Sequence, residues 1–332
     1  SETEPEQIGA VAGMSPGAMS AGLAEVSAVQ TYLDISAGNR VFTSLYDFEP
    51  PVITRTGGRI PDWGEFVRRA ESAPAEIVPG LLATTLQDSG VAVAADPLLA
   101  SAAILAADER GRVGRTRPLE CLDRRCPGLS VVPATLGQLG GLVSRLEGDD
   151  LLIAIERPPP PSRESLAVGI AGDGFDGNLT SDTTRTAGFV AATDIAPTVL
   201  DRLGVGVPDE MSGRPIRAEG EPDAAAVAER TDRMRIVAGR RSPVILDNLM
   251  IWLGLAVLAS LLSRGRLAGV AFSLGGLATL YLPLLLLVGA AVQPALLGER
   301  LIVGIGAPAR AALTLLVARG SLALAVACAV TV

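Results

Sequence analysis

Two long apolar runs near the C-terminus constrain the fold of this 332-residue chain more than any other feature. Residues 244–262 and 267–292 are each long enough to cross a bilayer as a helix, which takes about 20 residues. We predict a third span at 301–318, which Pro308 and Arg310 interrupt, and the start of a fourth at 321–332. A helix buried in a soluble core is the alternative, chiefly for the last two runs. The lipid bilayer is therefore the first expected partner.

Charge separates the chain into two parts. Residues 1–243 carry 23 basic and 34 acidic side chains, a net charge of −11, whereas residues 244–332 carry a net charge of +3. A domain this acidic is a poor ligand for nucleic acid, whose binding depends on neutralising phosphates. We predict a globular domain at 1–220, a helical linker at 221–243 and a transmembrane region at 244–332.

The charges of the short loops predict an orientation in the membrane. Two arginines in 263–266 place that loop in the cytoplasm, and the electrically neutral loop 292–300 faces outside. The N-terminal domain is then extracytoplasmic. Five arginines in 230–243 argue the other way, although large domains cross largely regardless of charge. The first residues, SETEPEQ, are no signal peptide, and the chain ends inside an apolar run, so we expect a piece of a longer protein.

The cysteines leave two possibilities open. Cys121 and Cys126 either close a small disulfide loop, as an exported domain would permit, or remain free thiols. A zinc site is less favoured, because Cys328 lies in a predicted span and a second pair of ligands is missing.

Short apolar runs alternate with helix-like segments through residues 1–220. A strand at 8–14 is expected to lead into a Gly/Ser turn at 13–22, and residues 80–96 read as a helix, a terminating glycine and a strand. Alternation of this kind predicts an α/β domain with a mostly parallel sheet flanked by helices. Further strands are predicted at 129–134, 151–156 and 165–172, and further helices at 63–72, 97–113, 135–148 and 194–204.

The segment GFVAATDIAPTVLDRLGVGVPDEMSGRPI, residues 188–216, resembles the C-terminal part of the alkaline phosphatase superfamily, which includes sulfatases and phosphodiesterases. Residues 80–96 and 30–41 are similar to two other segments of that superfamily and of its membrane-bound bacterial members. Together the three segments span most of residues 8–216.

The resemblance implies a nucleophilic Ser or Thr near the end of the first strand, beside two metal ions held by Asp and His. Ser15 and Ser20 are the candidate nucleophiles, or else plain turn serines. The chain has no histidine, so a two-zinc site is not expected. An oxygen-only site for Mg²⁺, Mn²⁺ or Ca²⁺ is the alternative. Its candidate ligands are Asp34, Asp173, Asp176, Asp182 and Asp194.

Each of these acidic positions also has a simpler interpretation. Residues 172–182 fit a polar surface loop, and Asp194 fits the N-cap of the helix that it begins. Arg40 and Arg185, with Thr183 and Thr184, are candidates for holding an anionic group. The alternative is a surface or salt-bridge role for the two arginines and an ordinary strand position for the two threonines.

The leading functional prediction is a degenerate domain of this superfamily that binds an anionic ligand or an envelope partner. The alternatives are a metal-dependent phosphate or sulfate ester hydrolase and a regulatory cap on a larger transporter or export protein.

Overall fold

The computed structural model of the chain describes residues 5–23, 26–56, 58–114, 128–158, 165–262, 268–292 and 296–320. The chain forms two compact units, residues 1–231 and 232–332, and the division falls inside the predicted linker 221–243. The Cys121–Cys126 loop, Cys328, most of the proline-rich connector at 157–164 and the predicted fourth span lie outside the described residues.

The first unit is an α/β domain built on a mixed sheet. Its described strands are β1 Ser15–Ser20, β2 Val93–Ala95, β3 Leu129–Val131, β4 Leu152–Ile155, β5 Ser165–Ala171, β6 Asn178–Ser181, β7 Phe189–Ala191 and β8 Ile216–Glu219. The main sheet has the order β4-β5-β1-β7, and two smaller sheets pair β2 with β3 and β6 with β8.

Both parallel and antiparallel pairs occur in these sheets. Strand β1 runs parallel to β7 but antiparallel to β5, and β5 is antiparallel to β4. The β2–β3 pair is parallel and the β6–β8 pair is antiparallel. The α/β class is as predicted, but the expected mostly parallel sheet is not confirmed.

Nine α-helices are described, of which the seventh spans the boundary between the two units and the last two lie in the second unit. They are α1 Pro5–Gly9, α2 Ala28–Ala37, α3 Trp63–Glu71, α4 Leu81–Asp88, α5 Leu136–Val143, α6 Ile195–Arg202, α7 Ala224–Leu262, α8 Ala268–Val292 and α9 Leu296–Gly320. Short 3-10 turns occupy Thr43–Leu45, Ser101–Ala106 and Ala192–Asp194.

The strand predicted at 8–14 and the turn predicted at 13–22 are both wrong. Only Ile8 and Gly9 of the stretch 8–14 belong to α1, and residues 10–13 form turns and bends. The small residues SPGAMS form β1, which pairs on both sides in the main sheet. Close packing explains why this strand has small residues. A Cβ on Gly17 would lie 2.9 Å from the side chain of Leu179, so no larger residue fits without a shift.

Several other predictions are confirmed by the elements. The helix at 63–72 is α3, and residues 80–96 form α4, a turn and β2. The helix predicted at 97–113 is wrong, because it contains only a 3-10 turn, and Arg112 forms a bridge with Arg59. Thr43–Leu45 and β8 had no prediction. Strand β6, which pairs with β8, lies within residues 172–182, so the loop interpretation of that segment is wrong for 178–181.

The second unit packs three helices in alternating directions. Trp252 contacts Gly304 and Asp247 contacts Arg300, so α7 and α9 run parallel. Tyr281 bonds Thr314, and Leu285 packs on Gly306, so α8 runs antiparallel to α9.

Two of these helices are long and apolar enough to cross a membrane. The segments are Phe272–Gly289 and Arg300–Val317, and only 22% and 17% of their residues are buried. The apolar stretch of α7, Ile245–Leu258, is shorter. Helices that are apolar on most faces and exposed on most faces are typical of lipid contact rather than of a soluble core.

Candidate functional site

The candidate site lies at the carboxyl edge shared by β1 and β7. These strands are parallel, and Ser20 at the end of β1 is paired with Ala191 at the end of β7. The chain then continues into α2 from one strand and into the Ala192–Asp194 turn from the other. The carboxyl edge of parallel strands is a common place for ligands, because loops that follow the strands meet there.

Arg40 reaches this edge from the end of α2. Its Nη1 donates to the hydroxyl of Ser20 at 3.1 Å and to the Ser20 carbonyl at 3.4 Å. The Ser20 hydroxyl in turn donates to the Gly22 carbonyl at 2.8 Å. The structure therefore brings together Ser20 and Arg40, two of the predicted site residues.

The backbone around Arg40 is fixed by the loop after α6. Helix α2 ends at Gly38, whose φ of 61° and contact with Met211 both favour glycine. The Gly38 carbonyl accepts from the backbone N–H groups of Ser212 and Gly213 at 2.9 and 3.1 Å. Asn39 also donates to the Glu210 carbonyl at 3.1 Å. The base of the Arg40 side chain is thus held from several directions.

The Arg40 guanidinium has no ion-pair partner within 4.0 Å among the described residues. It is partly buried, and this burial lowers its pKa, while the charges of Asp34 and Asp194 oppose that shift. Its bonds to Ser20 use Nη1. The rest of the planar guanidinium fork remains available for an anionic oxygen.

Asp194 is a fully buried carboxylate that the fold saturates with donors. Ser181 and Thr183 each donate a hydroxyl bond to it at 2.6 Å, and the backbone N–H groups of Ala191 and Arg214 donate at 2.8 and 3.0 Å. A carboxylate has about four acceptor positions, so these bonds occupy its capacity. Asp194 therefore joins β6, β7 and the loop after α6.

The N-cap role predicted for Asp194 is wrong. Its backbone is already helical, with φ −79° and ψ −18°, and its side chain makes no capping bond to α6. The Ala192–Asp194 turn runs directly into the helix, so the carboxylate points back to the Ala191 N–H instead.

Asp34 is a second buried carboxylate, and few of its acceptor positions are filled. It is 1% exposed and lies on α2, where Gln30 donates to its Oδ1 at 2.6 Å. Its Oδ2 has no hydrogen-bond partner. Burial raises the pKa of Asp34 to about 8, although the Gln30 bond and the charges of Arg40 and Arg69 pull it down. Asp34 is therefore largely protonated at neutral pH.

Arg69 is the second cation beside Asp34. It is 2% exposed, donates from Nε to the Phe48 carbonyl at 2.6 Å and lies 3.7 Å from the centre of the Tyr46 ring. Its Nη2 has no partner, like Oδ2 of Asp34 and Oε1 of Gln30. These groups form a buried polar cluster behind Arg40.

The other predicted residues lie apart from Arg40 or make different contacts. Ser15 is buried at the far end of β1, five residues from Ser20, or about 16 Å along a strand. Asp182 is exposed and paired with Arg217 at 2.6 Å, which lowers the pKa of Asp182. Asp173 and Asp176 are exposed in the loop before β6.

Thr184 and Arg185 belong to the turn that follows β6. The Thr184 hydroxyl donates to the Phe189 carbonyl, so it helps to close this turn. Arg185 is exposed, with a φ of 52°, and its N–H donates to the Ser181 carbonyl at 2.8 Å. Thr183, which was named beside them, is the member that reaches the buried Asp194.

The donor set does not fit a pair of catalytic metal ions. Across the part of the chain that the structure describes, no group of three or more His, Cys, Asp or Glu side chains is arranged to hold a metal. The oxygens of Asp194 already accept hydrogen bonds from the protein, and the Asp182 carboxylate forms an ion pair with Arg217. A metal ion would need several free carboxylates or imidazoles here.

Comparisons of the chain with protein-family models, with curated proteins and with solved structures found no match. The resemblance to the alkaline phosphatase superfamily therefore stays a prediction.

Sequence reasoning missed several residues that shape this site. Arg69 lies in the predicted helix 63–72 and Tyr46 in a segment without a prediction, and only the fold brings them near Asp34. The Gln30–Asp34 pair had a usable signal, since residues four apart on a helix face each other. Gly213 lies in the segment 188–216 that carries the resemblance, but its packing was not foreseen: a Cβ there would lie 2.0 Å from the Thr193 carbonyl.

Proposed function

We propose that this chain is a multi-pass membrane protein whose N-terminal α/β domain binds a small anionic group at Ser20 and Arg40. The observation that carries the proposal is the Arg40 guanidinium. It is partly buried, fixed at the carboxyl edge of β1, and without an ion-pair partner within 4.0 Å among the described residues. Desolvating a cation without a counter-ion is costly, so such an arrangement suits a site that an anion completes.

Phosphate and sulfate esters are the anions that fit best. A guanidinium binds two oxygens of a tetrahedral anion in parallel, which a single point charge does less well. The Ser20 hydroxyl, 3.1 Å from Arg40 Nη1, is placed to join the same oxygens. The resemblance to the alkaline phosphatase superfamily supports the same choice, because it too implies a serine at the end of the first strand.

Binding without hydrolysis has more support than a metal-dependent ester hydrolase. The Ser20 hydroxyl donates to the Gly22 carbonyl, and no described side chain accepts its proton as a base would. The carboxylates that metal ions would need are apart or saturated, as described above. A regulatory cap on a larger transport or export protein remains compatible with anion binding, since such a cap would need a ligand.

The membrane placement has its own support. Helices α8 and α9 are long and apolar enough to span a membrane. Helices α7 and α9 run in the same direction and α8 runs in the opposite one, as consecutive spans would. We take the shorter apolar stretch of α7 as the third span. The two arginines of 263–266 then favour a cytoplasmic loop between α7 and α8, and so an N-terminal domain outside the cell membrane.

Anion binding is tested on the full chain in nanodiscs by calorimetric titration with phenyl phosphate and with phenyl sulfate. We expect binding by the wild-type protein and its loss in Arg40→Gln. The matched control is Arg68→Gln, which removes an exposed arginine of the same domain. Equal heats in wild type and Arg40→Gln would refute the site.

Hydrolysis of the same esters is measured with Mg²⁺, Mn²⁺ and Ca²⁺ in turn. We expect no turnover above that of Ser20→Ala. Metal-dependent turnover that disappears in Ser20→Ala would establish the hydrolase instead.

A further inference from the structure

A groove of about 1200 Å³ runs along the three helices of the second unit. Its walls are mostly apolar, with Asn248 among the lining residues, and one end carries the Asp247–Arg300 ion pair at 3.0 Å. The volume is above the range that is common for small-molecule sites, about 300–1,000 Å³, so the groove is roomy enough for a long apolar chain. The lining from α7 and α9 includes Met250, Ile251, Leu255, Leu301 and Ile305.

The groove exists because small residues line α8 and α9. Gly275 and Ala278 of α8 and Gly304 and Ala312 of α9 line it. A Cβ on Gly275 would meet nothing within 4 Å, so the space in front of it is open.

One wall of the groove is held by an unusual hydrogen bond. Pro308 lies inside α9 and has no N–H, so the carbonyl of Gly304 four residues earlier loses its helical donor. The Trp252 indole N–H of α7 donates to this carbonyl at 3.3 Å. This bond joins α7 to α9 within the groove wall, since Trp252 and Gly304 both line the groove. The wall is therefore a built feature rather than a gap between loosely packed helices.

The length of the groove matches one leaflet of a bilayer. Along α9 the lining extends from Arg300 to Ala312, which at 1.5 Å per residue is about 18 Å. Half of the hydrocarbon core is about 15 Å thick. The ion pair at one end is thus placed near the level of lipid headgroups when the other end reaches the bilayer centre.

Arg300 supplies the charge at the headgroup level. Its Nη2 donates to Asp247, and its other N–H groups have no hydrogen-bond partner among the described residues. Arginines at this depth commonly pair with lipid phosphates, since their free N–H groups face the interface.

We propose that this groove binds one acyl chain of a phospholipid, whose phosphate accepts hydrogen bonds from Arg300. The second acyl chain stays in the surrounding bilayer. The assignment rests on the proposed membrane placement, but it does not depend on the anion site at Arg40. A second copy of this chain, packed into the groove by its own apolar helix, is the competing occupant.

The test uses the full chain, released from nanodiscs and weighed intact by native mass spectrometry. The nanodiscs contain phosphatidylglycerol, or diacylglycerol with the same two chains and no phosphate. The variants are Gly275→Leu, which fills the groove, and Arg300→Gln, which removes the charge. The matched control is Gly276→Leu, because Gly276 is the neighbouring glycine, is exposed, lies outside the groove and has equally open space for a Cβ.

We expect one phosphatidylglycerol to remain on the wild type and on Gly276→Leu. Gly275→Leu should lose it, and Arg300→Gln should retain it about tenfold less well, as should diacylglycerol on the wild type. Equal retention by Gly275→Leu and Gly276→Leu would overturn the proposal. So would a dimer without lipid that Gly275→Leu dissociates.

Alkaline carbonate extraction of cell membranes tests the membrane placement separately, by showing whether the chain stays in the membrane. A chain that is extracted as a soluble protein would remove both the membrane placement and the lipid site. A chain that stays in the membrane but shows equal lipid retention in the two glycine variants would remove the lipid site alone.

Discussion

The protonation of Asp34 gives a direct way to test the buried polar cluster. Burial raises the pKa of this carboxyl to about 8 from an ordinary value of 3.8. The unfolded chain therefore releases this proton at lower pH than the folded chain does. The stability that the protonated group contributes is fully present below about pH 3.8 and is lost as the pH rises towards 8.

The size of the effect follows from the width of that window. One proton held only by the folded state changes the free energy of unfolding by about 1.4 kcal/mol per pH unit. From pH 5 to pH 7 Asp34 should therefore lower this free energy by about 3 kcal/mol. In a unit of this size the midpoint temperature would fall by roughly 5–10 °C from this group.

Asp34→Asn removes the titration and keeps the shape of the side chain. We expect its midpoint temperature to change less between pH 5 and pH 7 than that of the wild type, by roughly 5–10 °C. At pH 7 the variant should be the more stable protein. The assay is thermal unfolding of the full chain in detergent, followed by tryptophan fluorescence, because Trp63 is buried in the same unit.

The control is Asp173→Asn, which changes an exposed carboxylate in the loop before β6. Its stability curve should run parallel to that of the wild type. If the Asp34→Asn curve is also parallel to the wild type across this pH range, Asp34 is ionised in the folded protein and the reasoning from burial fails.

Three further substitutions test the contacts around the two sites. Asp194→Ala should lower the free energy of unfolding by about 3–5 kcal/mol, because it leaves four donors without their acceptor, two of them in buried bonds, and urea unfolding of the full chain measures this. Gly213→Ala should destabilise by more than about 1 kcal/mol, since its Cβ would lie 2.0 Å from the Thr193 carbonyl; a wild-type urea midpoint would contradict that contact. Trp252→Phe should cost about 1–3 kcal/mol by leaving the Gly304 carbonyl without its donor, and an unchanged melting temperature in nanodiscs would show that the bond is dispensable.

Local sequence signals were sufficient where one segment determines its own structure. The glycine after α4 and the helical spacing of residues in α3 marked these two helices correctly. The proline in the first turn of α6 and the glycine after it marked that helix. The apolar runs marked the helices of the second unit, because length and hydropathy alone define such segments. Ser20 and Arg40 were both named as site residues, although nothing in the sequence placed them in contact.

Signals failed where neighbouring elements decide the outcome. The segment SPGAMS has the residues of a turn, yet it forms the strand that pairs with both β5 and β7. Its small side chains are required by the close approach of Leu179, which is distant in sequence. The Asp194 carboxylate accepts hydrogen bonds from β6, β7 and the 213–214 loop. Helix-capping rules consider only the helix that follows Asp194, so they could not predict these three contacts.

The state of the two buried carboxylates bears on the proposed anion site at Arg40, which lies in an acidic domain. Both interact with Arg40 through space, and if both were ionised they would cancel its charge. Asp194 is already engaged with four hydrogen-bond donors, which disperse its charge over hydroxyl and amide groups. Asp34 is kept largely neutral by burial below about pH 8. The charge next to Ser20 is therefore more positive than a count of side chains suggests, and raising the pH above 8 should weaken anion binding as Asp34 ionises.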